Sequence, residues 1–461
     1  MNRIKFIRVR PFTHTLISIL SIIAISITSI GIATAGAGGG PKPSYFVDPA
    51  SLPFTALPGA TAMWGTHGKA GYRIEVPDAW NGKLVMWAHG FREGGGLELT
   101  VDNHPLRELL IPFGYAWAAS SYSRNDYEVT SGVQTTHALA MLFGDIVGEP
   151  ELIYMTGASM GGHVTAVSIE QYGDTYDAAL PICGVLGDYA LFDYFLDFNS
   201  AAQQLGTGAS QYPVDPVVYT LVTVPTIKVS LEGLPGTWPF FLNTAGENLK
   251  SLTELRSGGV RPNFDEAWFF WNTFPSFITG PGNFLFDTGF GDGTVPSSPG
   301  VGIDNTDTVY QFDTDPNLTP AEQALNDNIV RVAQDPQGRN PNGLSQVPVI
   351  SGDINIPVLT LHNLGDLFVP ILNEVEYAKR VAAHGKSDLL VQRAIRGVNH
   401  CGFTPQEFGG AFLDLVFWLE LGIKPGGDNF LDPAEVANPL FGCNYTNPSD
   451  GTGHILAVPC P

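Results

Sequence analysis

The sequence predicts an α/β protein: a mainly parallel central sheet flanked by helices and interrupted by one large insertion. Three observations carry that expectation. Apolar runs of strand length alternate with helix-like segments from Gly71 to Gly187, the pattern of strands covered on both faces. The alternation stops near Gly187 and returns at Pro357. Between them lies a stretch rich in Pro, Gly, Asn and Asp, with 20 aromatics from Gly187 to Phe290, nearly twice the density of the whole chain. With 461 residues, 44% hydrophobic and 11% aromatic, the chain has ample material for a large core and is too apolar for a disordered protein.

Each element follows in order. Residues 1–35 read as a secretory signal peptide. Arg3, Lys5, Arg8 and Arg10 precede an apolar run from Leu16 to Ile32, and Ala33, Thr34 and Ala35 supply a small-residue cleavage site. An uncleaved membrane anchor is the alternative, since the run is near the lower limit for a span. No other stretch is long and apolar enough to span a bilayer. Residues 36–70 read as an extended lead-in. Strands are then expected at Gly71–Pro77, Leu84–Ala88, Tyr115–Ala119, Leu152–Met155 and Ala178–Cys183, with helices at Gly132–Phe143 and Gly161–Tyr172. After the insertion, 188–351, come a strand at Pro357–Leu361, a helix at Leu372–Ala383, a strand from Leu389 and a helix at Gln406–Leu421. The core is therefore read as 71–187 together with 352–461.

Charge and cysteines narrow the function. Lys and Arg number 23 against 45 Asp and Glu, a formal net charge of −22, and removing the leader makes the product more acidic. Such a surface repels phosphate backbones, so nucleic acid is excluded as a partner. Cys183, Cys401, Cys443 and Cys460 would meet an oxidising compartment. Cys443 and Cys460 are expected to close the tail, leaving Cys183–Cys401 as the second bridge. Spacing alone does not decide connectivity, and free buried thiols are the alternative. Nothing has zinc spacing. Asp304, Asp307, Asp313 and Asp315 lack the spacing of a calcium loop and read as solvated turn acids.

The segment Gly157, Ala158, Ser159, Met160, Gly161 and Gly162 carries the chemistry. It follows an apolar strand and opens a helix, the context of a G-x-S-x-G nucleophile elbow. Serine there needs a strained turn, so residues two positions either side must be small. The helix N-terminus offers N–H groups where negative charge develops. A serine hydroxyl needs a base, and His400 stands in a Gly-rich loop after the last expected strand; a surface loop histidine is the bland alternative. Asp366, after the strand ending near Leu361, is the favoured acid, and Asp292 in a Gly-Asp-Gly turn is the rival. Met160 N–H and Phe91 N–H are the expected oxyanion donors, with Gly94 to Gly96 letting the Phe91 loop fold close. His137 and His163 fall in helices and read as structural.

With these motifs in this order, the chain resembles the secreted α/β-hydrolases, in which nucleophile, acid and base follow one another as Ser159, Asp366 and His400 do here. The His400–Cys401 pair also resembles tannases and feruloyl esterases, where a cysteine beside the serine bridges to one beside the histidine. Here Ala158 precedes Ser159, so Cys183 would be a different partner. The resemblance implies that the insertion is a cap, lining an apolar cleft suited to acyl chains, aromatic acids or polyester segments, although most of its aromatics would build the cap's own core. The expectation is an exported serine hydrolase acting on small or polymeric carboxylic esters, without a cofactor or metal. A serine peptidase of prolyl-oligopeptidase type is the alternative, and a non-catalytic binding protein on the same fold a distant third.

Overall fold

The computed structural model describes residues 44–92, 96–276, 284–291, 300–339, 347–449 and 451–461. The expected leader, Gly94, Gly95 and the rival acid Asp292 lie outside the described residues.

Eight strands form one sheet: β1 (Ala60–His67), β2 (Ala70–Pro77), β3 (Lys83–Ala88), β4 (Ala116–Ser120), β5 (Leu152–Ala158), β6 (Ala178–Ile182), β7 (Val358–Asn363) and β8 (Leu390–Ile395). Their spatial order is β1-β2-β4-β3-β5-β6-β7-β8. β2 runs antiparallel to both β1 and β4, and every other pair is parallel. Every residue of β4, β6 and β7 is buried, which is why these strands read as continuous apolar runs.

One expectation needs correction. The segment read as an extended lead-in contains β1, paired with β2 from Ala60 opposite Pro77 to His67 opposite Ala70. β1 is an edge strand with no fully buried residue, so it lacks the apolar signature of the inner strands. A two-residue turn, Gly68 and Lys69, closes the hairpin, with Gly68 at φ 61°, a left-handed conformation that glycine adopts without steric cost.

Helices cover both faces. α1 (Val129–Ile146), α2 (Met160–Gln171) and, from the far end of the chain, α8 (Leu372–Ala383) sit on one side, where Val133, Phe143, Val164, Tyr377 and Val381 share a core with Met86 and Met155 of the sheet. On the other, α9 (Pro405–Leu421) buries Phe408, Phe412 and Leu415 against Val85, Leu180 and Leu359. A Thr404–Glu407 capping box and Gly422 in the left-handed conformation delimit α9.

Between β6 and β7 the chain leaves the sheet and builds a helical cap: α3 (Tyr189–Thr207), α4 (Val224–Leu231), α5 (Thr244–Arg256), α6 (Phe264–Thr273) and α7 (Pro320–Asn328). Phe198, Tyr219, Phe264, Trp268, Trp271, Phe284 and Phe286 are buried together there, so the aromatic excess serves the cap's own core. The same cluster takes in Leu367 and Val398, one from each loop that carries a candidate catalytic side chain.

Candidate active site

The elbow is built by local sterics. Ser159 sits at φ 59°, ψ −123°, strained for a residue with a Cβ. A Cβ on Gly157 would lie 2.2 Å from the Gly161 carbonyl oxygen, and one on Gly161 2.1 Å from that of Ala88. Only glycine lets β5, β3 and α2 converge this closely. Ser159 N–H donates to Ile182 C=O at 3.1 Å, which leaves the side chain at the mouth of the turn. Met160 is the first residue of α2, a position whose N–H has no intrahelical acceptor. Among the described residues neither Met160 N–H nor Phe91 N–H has a backbone acceptor.

Three side chains meet here from three distant segments. His400 Nε2 lies 2.8 Å from Ser159 Oγ, and His400 Nδ1 lies 2.6 Å from Asp366 Oδ2. Asp366 is fully buried, and its other oxygen accepts from Phe368 N–H and Val369 N–H, both at 2.9 Å. A carboxylate so held accepts from Nδ1–H, so Nε2 is the imidazole's lone-pair nitrogen and faces the serine hydroxyl. Gly90 closes the other side: a Cβ there would lie 3.3 Å from Ser159 Cβ, so the loop carrying Phe91 approaches Ser159 as backbone. His89 Nδ1 donates to Gly90 C=O at 2.7 Å, its ring stacks on Tyr122 at 3.8 Å, and the Tyr122 hydroxyl donates to His89 C=O. Burial holds the His89 pKa down to about 4, so this histidine is neutral.

A strand order of 1-2-4-3-5-6-7-8 with β2 reversed, and a strained serine between β5 and the helix after it, decide the architecture. The fold is that of the α/β-hydrolases.

No protein-family model matches the chain. It is similar to the o-phthalyl amidase of Xanthobacter agilis, 20% identical over 425 residues that cover 80% of this chain and 89% of the amidase. An esterase from Aspergillus oryzae aligns with a TM-score of 0.47 at 14% identity, over 80% of this chain and 81% of that one. Feruloyl esterase B from the same organism aligns at 0.40 and 15%, over 78% and 80%. The assignment of the fold rests on the strand order and the elbow, not on these likenesses.

In this α/β-hydrolase fold the loops that carry Asp366 and His400 are tied down from outside. Cys183, just beyond β6, is bonded to Cys401, the neighbour of His400. Because Ala158 pairs with Ile182 in the sheet, this bridge links the His400 loop to the strand beside the one that leads into Ser159. Trp271 of the cap donates its indole N–H to both Gly365 C=O at 2.9 Å and Val398 C=O at 3.0 Å, one carbonyl from each loop. Buried Arg261 donates to Leu364 C=O at 2.7 Å, and Phe368 packs edge-on against the His400 ring at 5.2 Å. The tail is gripped by Arg396, the residue after β8, whose guanidinium donates to the carbonyls of Phe441, Val458, Pro459 and Pro439. The tail itself is closed by Cys443–Cys460.

Beneath Asp366 lies a buried pair that sequence reasoning missed. His362 Nδ1 is 3.0 Å from Glu374 Oε1, and its Nε2 is 2.7 Å from Val369 C=O. Burial alone would lower the His362 pKa, but the hydrogen bond and charge of Glu374, with Asp366 and Val369 C=O, outweigh it and raise it. His163 behaves oppositely: burial lowers it to about 4, and it bridges the Tyr127 hydroxyl to Pro348 C=O.

Ser159 opens on a cavity of about 330 Å³ under the cap, walled by Tyr127, Tyr189, Phe192, Phe195, Phe290 and Phe368. Phe91 lies on its rim, half exposed. The cap acids Asp304, Asp313 and Asp315 accept from nearby backbone N–H groups in tight turns. Among the described residues the group close enough to share a metal ion is Cys183, His400 and Cys401, and its two sulfurs are consumed in the disulfide. Among the described residues no helix is long and apolar enough to cross a membrane.

Proposed function

We propose that this protein is an exported serine hydrolase of carboxylic esters, small or polymeric, in which Ser159, His400 and Asp366 form the catalytic triad. The observation that carries the reading is the continuous hydrogen-bonded chain from Ser159 Oγ through both nitrogens of His400 to buried Asp366, opening on an apolar cavity. Two disulfides support export, since such bonds persist in oxidising compartments.

In this reading His400 Nε2 takes the hydroxyl proton as Ser159 Oγ bonds to the substrate carbonyl carbon, and Asp366 stabilises the resulting imidazolium. The carbonyl oxygen gains the negative charge and is held by Met160 N–H and Phe91 N–H. The tetrahedral adduct collapses, the C–O bond to the alcohol breaks, and His400 delivers its proton to the leaving oxygen. Water then attacks the acyl-enzyme with His400 again as base, which releases the acid and restores Ser159.

Hydrolysis of p-nitrophenyl esters of increasing acyl length tests the proposal. Turnover with an optimum set by the cavity, abolished in Ser159→Ala, supports it. Ester turnover that survives Ser159→Ala overturns it. Amide hydrolysis is a second reading, favoured by the similarity to o-phthalyl amidase along most of both chains. Parallel p-nitroanilide assays decide between them, because an amine leaving group depends more on proton delivery by His400 than p-nitrophenolate does.

A further inference from the structure

The cavity in front of Ser159 is apolar in its walls and one-signed in its charge. Asp126 and Asp287 are the charged side chains among its described lining residues, which include no Lys, Arg or His. His400 contacts Ser159 Oγ at 2.8 Å but is not among the described lining residues. In the sequence, residues 93–95 and 292–299 contain no Lys, Arg or His. Each arginine beside the cavity is already matched: Arg92 by Asp102 at 2.8 Å, Arg124 by Glu128 at 3.3 Å, and Arg339 by Asp193.

Asp126 is the more exceptional of the two acids. It holds φ 80°, which costs on the order of 1 kcal/mol for a residue with a Cβ. Its N–H donates to Arg92 C=O at 2.7 Å, and its Oδ1 accepts from Tyr127 N–H at 3.0 Å. Among the described residues its carboxylate has no salt-bridge partner within 4 Å. Burial raises its pKa against the Tyr127 N–H hydrogen bond and the charge of Arg124, which marks a carboxylate partly stripped of water and only partly compensated. Aromatic faces around such a group attract cations and repel anions, and the net charge of −22 acts in the same direction at longer range.

We propose that the cavity selects esters whose enclosed part carries an ammonium group, seated between Asp126 and the aromatic walls, and discriminates against esters bearing a carboxylate. The proposal rests on the serine-esterase reading of the site and adds the charge class of its substrate. The ammonium could sit on the acyl or the alcohol side of the ester, and the two arms of the test separate these.

For the acyl side, kcat/KM would be compared for p-nitrophenyl esters of 4-(trimethylammonio)butanoate, its neutral isostere 5,5-dimethylhexanoate, and the glutarate half-ester. For the alcohol side, choline butyrate would be compared with 3,3-dimethylbutyl butyrate. In at least one arm the cationic ester should exceed its isostere by about tenfold at low salt, with the glutarate half-ester the poorest acyl substrate. In Asp126→Asn the cationic-to-neutral ratio should fall towards one; Asn tolerates a positive φ, so the backbone is kept. The ratio is internal to each enzyme, so any general loss in the variant cancels. Equal rates for cation and isostere in both arms, or a preference untouched by Asp126→Asn, would overturn the proposal while leaving the esterase reading intact. A second readout needs no turnover. Phenyltrimethylammonium should bind Ser159→Ala saturably by calorimetry and lose that binding in Ser159→Ala with Asp126→Asn. Its failure to bind would overturn the proposal even if no ester were hydrolysed, an outcome that would separately sink the esterase reading.

Discussion

The two sides of the active site are held by different physics. The Ser159 side is local: Ser159, its glycines and the opening of α2 lie within a few residues, and backbone sterics at Gly157 and Gly161 leave one way to pack them. The side that carries Asp366 and His400 is assembled from afar. Asp366 and His400 are 34 positions apart and 241 positions separate Ser159 from His400, while their loops are held by a disulfide, an indole from the cap and the C-terminal tail. A strained turn needs exact small residues but few partners. A pair of loops needs many partners, any one of which sequence alone leaves ambiguous.

Substitutions can break or sharpen this contrast. The largest effect is expected for Asp366→Asn, about a 10⁴-fold fall in kcat from loss of the imidazole's orientation and charge partner, with folding retained by circular dichroism. A wild-type rate would transfer the acid's role to Asp292. Next is the bridge that joins the two sides. By the chain-entropy relation, opening Cys183–Cys401, with a sequence separation of 218, costs about 5 kcal/mol, and opening Cys443–Cys460, with a separation of 17, about 3 kcal/mol. Urea unfolding of the paired alanine variants measures both. Only the first should also depress kcat, because only that bridge adjoins His400.

The local side breaks differently. Gly161→Ala should cost more than about 3 kcal/mol, since the new Cβ meets backbone rather than a side chain that can turn away. Gly410→Ala within α9, where a Cβ has nothing within 4 Å, should be neutral or stabilising by about 0.5–1 kcal/mol. Equal costs at the two glycines would remove the steric account of the elbow. Trp271→Phe keeps the ring and deletes one donor shared by two buried carbonyls, so a loss of about 1–3 kcal/mol is expected, with a fall in kcat rather than a rise in KM if the indole aligns the two loops.

The smallest effect is a slope in pH. His362 has a raised pKa, so its contribution to stability is fully present below the unfolded-state value near 6.5 and is lost as pH rises through the folded value. His89 and His163, lowered to about 4, act oppositely: their contribution is present above about 6.5 and is lost as pH falls towards 4. Unfolding midpoints between pH 4 and 9 should therefore decline at both ends. His362→Asn should flatten the alkaline limb alone.

Much of the core was readable in advance. The buried strands β3 to β8 and the helices α1, α2, α8 and α9 were expected within a few residues of their observed bounds, because burial on both faces writes a continuous apolar run. β1 was not, because an edge strand open to water needs no such run. The cap helices were not read either. Their Pro- and Gly-punctuated segments bury aromatics on several sides, which erases the periodicity that marks a surface helix. Ser159, Asp366 and His400 were legible as types in a motif order, and the structure brings the three side chains together. The partner of Cys401 was expected from its tail-closing counterpart, but the reason for it appears only in the sheet, where Cys183 follows the strand beside the nucleophile's.

The sequence by itself determined the elbow, because glycine sterics and a strand-to-helix turn act over a few bonds. It determined the inner strands too, because burial dictates composition one residue at a time. Only the tertiary structure decided that Trp271 would span both loops, that His362 and Glu374 would lie beneath Asp366, and that Asp126 would line the cavity without an ion-pair partner among the described residues. Each of these depends on which distant segments become neighbours, and a hydrogen bond or a counter-charge has no signature in a linear pattern until the chain closes around it.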